Sequence, residues 1–233
     1  MAALSEDARA LTVLLVGALL VRLSITGAHA RYVRVGMGSW LLIAGTLLVA
    51  LGLAGVVRAL AAGRTAPSRH DDHAHGERVG WLLLAPVLAL LLVTPPALGS
   101  YGVDRNTTIR IAESGTTFDP LPPGRTVPMT VLEFDQRAAD HNGASFGAVP
   151  VRLTGFVSRT ADGDGFRIAR YQIACCAADA AAAVARVTGA AGDPPARDQW
   201  VTVTGTFGGT ADGIPILRAT SLTEVTAPND PYE

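Results

Sequence analysis

Residues 149–159 read Val-Pro-Val-Arg-Leu-Thr-Gly-Phe-Val-Ser-Arg, and residues 166–174 read Phe-Arg-Ile-Ala-Arg-Tyr-Gln-Ile-Ala. In the first run Val151, Leu153, Gly155 and Val157 recur at every second position, the period of a strand with one buried face. Phe166, Ile168 and Arg170 alternate in the same way in the second. Between them stands Asp162-Gly163-Asp164-Gly165, whose Asp-Gly pairs supply hairpin-turn chemistry. A third run, Trp200-Val201-Thr202-Val203-Thr204-Gly205-Thr206-Phe207, again has period two. Gly208-Gly209 and Asp212-Gly213 then turn the chain into a fourth strand over residues 214–225. Gly155 and Gly205 fall inside strands, where a sharply curved strand has to bend. These runs predict a small C-terminal β-barrel, OB-like, with short helices, over residues 130–233. One strand of such a barrel is left unplaced. The alanine-rich residues 177–187 are read as a helix. Upstream, Thr130-Val131-Leu132-Glu133 is a capping box that predicts a short helix over 131–140, ended by Asn142-Gly143. Residues 101–129, rich in Gly, Pro, Thr and Ser, read as a linker with one short strand at 107–112.

The first hundred residues have a different character. The chain is 49% hydrophobic and only 17% charged over its 233 residues, against about 25% charged in an average soluble domain. Most of that apolar content precedes Tyr101. Crossing a bilayer takes about 20 mostly apolar residues, and three stretches qualify, at about 8–28, 37–57 and 79–98. They predict three N-terminal transmembrane α-helices over residues 1–100 and a multi-pass protein of the cell membrane. Arg22 lies near the end of the first span, where a long side chain snorkels to the interface or meets a partner within the membrane. Gly36, Gly38, Gly45, Gly52 and Gly55 give the second span a small-residue character that favours close helix approach. Arginines near the spans divide five (Arg9, Arg58, Arg64, Arg69, Arg78) against four (Arg31, Arg34, Arg105, Arg110). On that balance the N-terminus is cytoplasmic and the C-terminal domain extracytoplasmic. The net charge of −1 and the lack of a basic patch with interleaved aromatics exclude nucleic acid as an expected partner. All 19 basic residues are arginine, which fits the coding bias of a GC-rich genome.

Two clusters carry candidate chemistry. The only two cysteines are adjacent, in Ile173-Ala174-Cys175-Cys176-Ala177-Ala178-Asp179. They fall where a strand ends and the alanine-rich helix is expected to begin, a position that lowers a thiol pKa from about 8.5. Neighbouring cysteines rarely close on each other, so the pair can present two soft donors to Zn²⁺ or another divalent metal. Asp179, His141 and Asp135 are the local further donors. Ordinary buried packing explains the pair equally well. The second cluster is the loop 69–78, Arg-His-Asp-Asp-His-Ala-His-Gly-Glu-Arg. His70, His73 and His75, three of the five histidines in the chain, stand there among carboxylates. The loop suits low-affinity metal capture, or is simply a polar connection between two helices. No phosphate loop, nucleophile elbow or His-Glu-x-x-His motif is present.

Three segments together resemble a known family: residues 151–157 (VRLTGFV), 169–180 (ARYQIACCAADA) and 200–205 (WVTVTG). They are similar to the DUF1980 family of bacterial membrane proteins, the YcgQ-like permease subunits. The layout agrees: apolar N-terminal helices, a histidine-bearing loop, a third helix ending in Pro-Pro-Ala-Leu-Gly-Ser, and a β domain carrying Cys-Cys-x-x-Asp. The resemblance implies a polytopic permease of the YraQ/YcgR type as partner and a link to zinc homeostasis. It carries over to Cys175, Cys176 and Asp179 alone. The expectation is therefore a non-catalytic accessory subunit of a membrane permease, not an enzyme. A membrane-tethered thiol redox protein and a purely structural membrane scaffold are the alternatives.

Overall fold

The computed structural model describes residues 6–62, 84–93, 96–105, 117–159 and 166–233. The chain divides into two compact units, residues 1–96 and 97–233.

The first unit contains helices α1 (Glu6–Ile25), α2 (Gly38–Ala62) and α3 (Leu84–Leu92). Helices α1 and α2 pack side by side through their small residues. A Cβ on Gly17 would stand 2.7 Å from the backbone nitrogen of Val49, and one on Gly52 would stand 2.7 Å from Leu14 Cα. Gly45 faces the Gly17 carbonyl, and Gly55 faces Ala10. Three glycines of the second span are thus used within the chain, letting two backbones approach where larger residues would hold them apart. Arg22 donates to the carbonyl of Leu91 at the end of α3, so its partner too is intramolecular. The opposite side of α2 exposes Trp40, Ile43, Leu47, Leu51 and Leu60. Among the described residues, one helix, Val35–Ala61, is long and apolar enough to cross a membrane. The third expected span is described only in part, and the loop with His70, His73 and His75 lies outside the described residues, as do the short strand expected at 107–112 and the 162–165 turn.

The second unit begins with helix α4 (Ser100–Arg105), followed by β1 (Val127–Pro128) and helix α5 (Val131–Ala139). Five further strands follow: β2 (Val151–Arg159), β3 (Phe166–Gln172), β4 (Ala181–Thr188), β5 (Trp200–Ala211) and β6 (Ile214–Val225). They pair in the order β2-β3-β4-β6-β5, and β5 returns to β2, closing the barrel. All these pairings are antiparallel except β4 with β6. This is the closed five-stranded barrel expected from the sequence, and β4 is the strand that the sequence left unplaced. Short β1 adds to the outer edge of β2 in parallel.

The alanine-rich segment is therefore a correction: it is a strand, not a helix. Strand β4 matches β3 along seven residue pairs, from Phe166↔Val187 to Gln172↔Ala181. Ala183 and Ala185 pack into the barrel core, while Ala182 packs into a second apolar cluster on the other face. A strand buried on both faces in tight quarters suits alanine, and tertiary pairing overrides its helix propensity. Gly155 and Gly205 behave as predicted. A Cβ on Gly155 would stand 2.7 Å from the Ala169 carbonyl oxygen, and one on Gly205 would run into the carbonyl of Arg218. Gly205 also lies at a register shift of the β5–β6 ladder, where a bulge bends the strand. Gly208-Gly209 sits inside β5 at a second register shift, and the turn itself is Asp212-Gly213.

Val151, Leu153, Val157, Ile168, Val187, Val201, Val203 and Leu217 fill the interior. Helix α5 starts where its capping motif predicts: the Thr130 side chain accepts from the Glu133 N–H at 2.9 Å, while the Glu133 carboxylate pairs with Arg137 at 2.8 Å. Its Phe134 meets Phe146 at 5.0 Å and Phe207 at 5.9 Å between ring centroids, so three phenylalanines join helix, turn and barrel. The first two N–H groups of the helix, Val131 and Leu132, donate to the Glu233 carboxylate, each at 3.1 Å. Burial raises the Glu233 pKa despite those bonds. Residues 101–129 read as a linker in the sequence, yet Val103 of α4 is buried with Phe156, Ala169, Tyr171 and Tyr232.

Candidate functional site

Between β3 and β4 the chain makes one tight turn, with a single 3-10 turn at Ala177–Asp179. The sequence predicts a helix over residues 177–187 here; its absence removes the helix terminus that would activate a thiolate. Order comes instead from one carboxylate. Asp179 Oδ1 accepts the Ala174 N–H at 2.9 Å, and Oδ2 accepts the N–H groups of Cys175 at 2.9 Å and Cys176 at 3.3 Å. The Asp179 N–H donates back to the Cys176 carbonyl at 3.0 Å. The turn is thus a capping box with Cys176 at the N-cap and Asp179 at the third position, satisfying backbone donors that would otherwise face only water.

The same carboxylate reaches the sulfurs. The Cys175 thiol donates to Asp179 Oδ2 at 2.8 Å, and the two Sγ atoms stand 3.7 Å apart. Both cysteines are free; Cys175 is exposed and Cys176 half-buried. They are not sealed in packing. The hydrogen bond to Asp179 pushes the Cys175 pKa up to about 11 and holds the Asp179 carboxyl down to about 2. This reverses the sequence expectation of a depressed thiol pKa: an anionic neighbour that accepts S–H stabilises the thiol and opposes the thiolate.

Among the described residues, Cys175, Cys176 and Asp179 form a group of ligand atoms within 4.8 Å of one another. Two thiols and a carboxylate are donors for zinc and similar borderline ions. A tetrahedral ion with metal–sulfur bonds of about 2.3 Å places its two sulfurs about 3.8 Å apart. The observed 3.7 Å already matches that edge. The 2.8 Å sulfur–oxygen distance is that of a protonated pair. An ion in place of the proton would need it to open to about 3.6 Å.

His141 is not part of this group. It lies in the turn after α5, in a left-handed conformation with φ 46°, and its Nδ1 pairs with Asp140 Oδ1 at 2.6 Å. Asp140 in turn accepts the Phe118 N–H at 3.0 Å, the main reason its pKa is lowered. Asp135 stands on α5 and does not join the group either. The sequence names Asp179 as a donor beside the cysteines, and the structure adds that its carboxylate orders their turn. The signal was present as Cys-x-x-Asp, a capping box with an unusual cap residue.

The fold and this turn define a class: a closed five-stranded barrel bearing an exposed dithiol–carboxylate turn. Residues 137–233 match the family model of the DUF1980 C-terminal domain, the family that residues 151–157, 169–180 and 200–205 resemble. No curated protein and no solved structure matches the chain.

Proposed function

We propose that the chain is a non-catalytic accessory subunit of a bacterial membrane permease of the YraQ/YcgR type, serving divalent metal homeostasis, zinc above all. In this reading the N-terminal helices make it a multi-pass protein of the cell membrane. They hold the barrel on the extracytoplasmic side and pack against the permease within the lipid. The exposed face of α2, with Trp40, Ile43, Leu47 and Leu51, supports the membrane placement. One observation carries the metal reading: two thiols at the edge length of a tetrahedral ion, beside a carboxylate fixed by three backbone N–H groups. The chain has no Cys-x-x-Cys pair, the spacing of thiol redox sites, which favours this reading over thiol redox catalysis. His70, His73 and His75 would be a second, weaker contact for the same ion.

The test is equilibrium dialysis of the full chain in detergent against Zn²⁺. The expected result is tight uptake that is lost in the Cys175→Ser, Cys176→Ser double variant while circular dichroism of the barrel is unchanged. Equal uptake by both proteins rejects the cysteine site.

A further inference from the structure

We propose that Cys175, Cys176 and Asp179 hold a soft divalent cation with three protein donors and keep its fourth position for a donor from outside. That makes the turn a ligand-exchange station for a cation in transit and not a structural metal centre. The inference rests on the metal reading above and adds how the ion arrives and leaves.

The carboxylate decides the donor count. Asp179 Oδ1 accepts the Ala174 N–H at 2.9 Å, and Oδ2 accepts the N–H groups of Cys175 and Cys176 as well as the Cys175 thiol. An ion would take the place of the thiol proton at Oδ2 while the backbone bonds to both oxygens stay, so the carboxylate supplies one metal bond. With two sulfurs the protein set is three. Zinc and its analogues take four donors in structural sites, whereas sites that act on an external molecule hold three protein ligands and one exchangeable position. Among the described residues no further His, Cys, Asp or Glu joins the group. Cys175 and Asp179 are both exposed, so the missing vertex opens on solvent. An incoming thiolate or imidazole can bind there before any protein donor leaves. Transfer then proceeds by ligand exchange, with no free ion formed. The turn also keeps its backbone bonds when a sulfur lets go, because Cys175 and Cys176 are held by their N–H groups as well.

The experiment loads the full chain in detergent with Co²⁺, a spectroscopic stand-in for zinc, and adds imidazole. The expected result is a cysteine-dependent thiolate-to-cobalt absorption band together with a saturable shift of the cobalt d–d bands, marking an adduct at the fourth position. Release to a chelating acceptor should speed up in proportion to acceptor concentration. Thiolate bands that imidazole leaves unmoved, with release independent of the acceptor, would show a closed four-donor site and overturn the exchange proposal while leaving the metal reading standing. A closed site that opens in a His70→Ala, His73→Ala, His75→Ala variant would also overturn it, by placing the fourth donor in the histidine loop. Absence of any thiolate band would remove both readings.

Discussion

The barrel interior and the cysteine turn belong to one domain but are held by opposite means. The interior joins side chains from distant parts of the chain: Phe134 of α5, Phe146 of the following turn and Phe207 of β5 meet ring to ring. The contacts of Phe207 with Phe134 and Phe146 bring β5 against residues more than sixty positions earlier. The turn is held within six residues, by a single carboxylate on three backbone N–H groups, at the surface. Fold and candidate chemistry are therefore separable by mutation. Damage to the interior should unfold the barrel, whereas damage to the turn should change thiol and metal chemistry on an intact barrel.

The largest effect belongs to the interior. Phe134 is fully buried, and Phe134→Ala removes the ring that links helix to barrel. Truncation of this kind costs about 3–5 kcal/mol, seen as a lower urea midpoint for the barrel's unfolding in the full chain. A loss no greater than that of a substitution in the turn would erase the contrast. Gly205→Ala comes next. Its Cβ meets the backbone of Arg218 across the β5–β6 ladder, and backbone cannot swing aside as a side chain can. The expected loss is about 1–3 kcal/mol, measured in the same way. An unchanged midpoint would mean that the barrel relaxes at its bulge, so that closure tolerates more than the tight approach implies.

The same division explains what could be read from the sequence. Strands β2, β3 and β5 carry period-two patterns, Asp212-Gly213 turns β5 into β6, and Thr130 caps α5; these signals are local, and the structure keeps them. Strand β4 has no such signal. Ala181, Ala182 and Ala183 favour a helix in isolation, and only pairing with β3 and burial on both faces makes them a strand. Misreading β4 also misread the site, since a strand in place of a helix leaves no helix terminus beside Cys175. The cysteine pair and Asp179 were visible as a motif. Their hydrogen-bond geometry was not, because it depends on which oxygen faces which N–H. Glu233 at the start of α5 was beyond reach for a further reason: some hundred residues separate it from Val131 and Leu132, and no periodicity reports such a contact.

The smallest effect on stability, and the sharpest on chemistry, is expected from Asp179→Asn. The Cys175 pKa is raised from 9.0 to about 11. Its stabilising contribution is thus complete below pH 9 and fades as pH climbs toward 11. The Asp179 pKa is lowered from 3.8 to about 2, so its contribution is complete above about pH 4 and fades as pH falls toward 2. Between those limits the turn keeps both. The amide has the size of the carboxylate but neither its charge nor its second acceptor, so it gives up at least one exposed backbone bond of the turn, and the Cys175 pKa should fall back toward 9. At pH 8 a drop of about two units raises the thiolate fraction about a hundredfold, while lower intrinsic nucleophilicity returns about a factor of ten. Alkylation of Cys175 should therefore quicken about tenfold, read in a Cys176→Ser background so that one thiol reports, with the urea midpoint nearly unmoved. A rate profile that still rises near pH 11 would show that Asp179 does not control the thiol. A large fall in midpoint would show that the turn, small as it is, helps to close the barrel, and the separation of fold from chemistry would fail there.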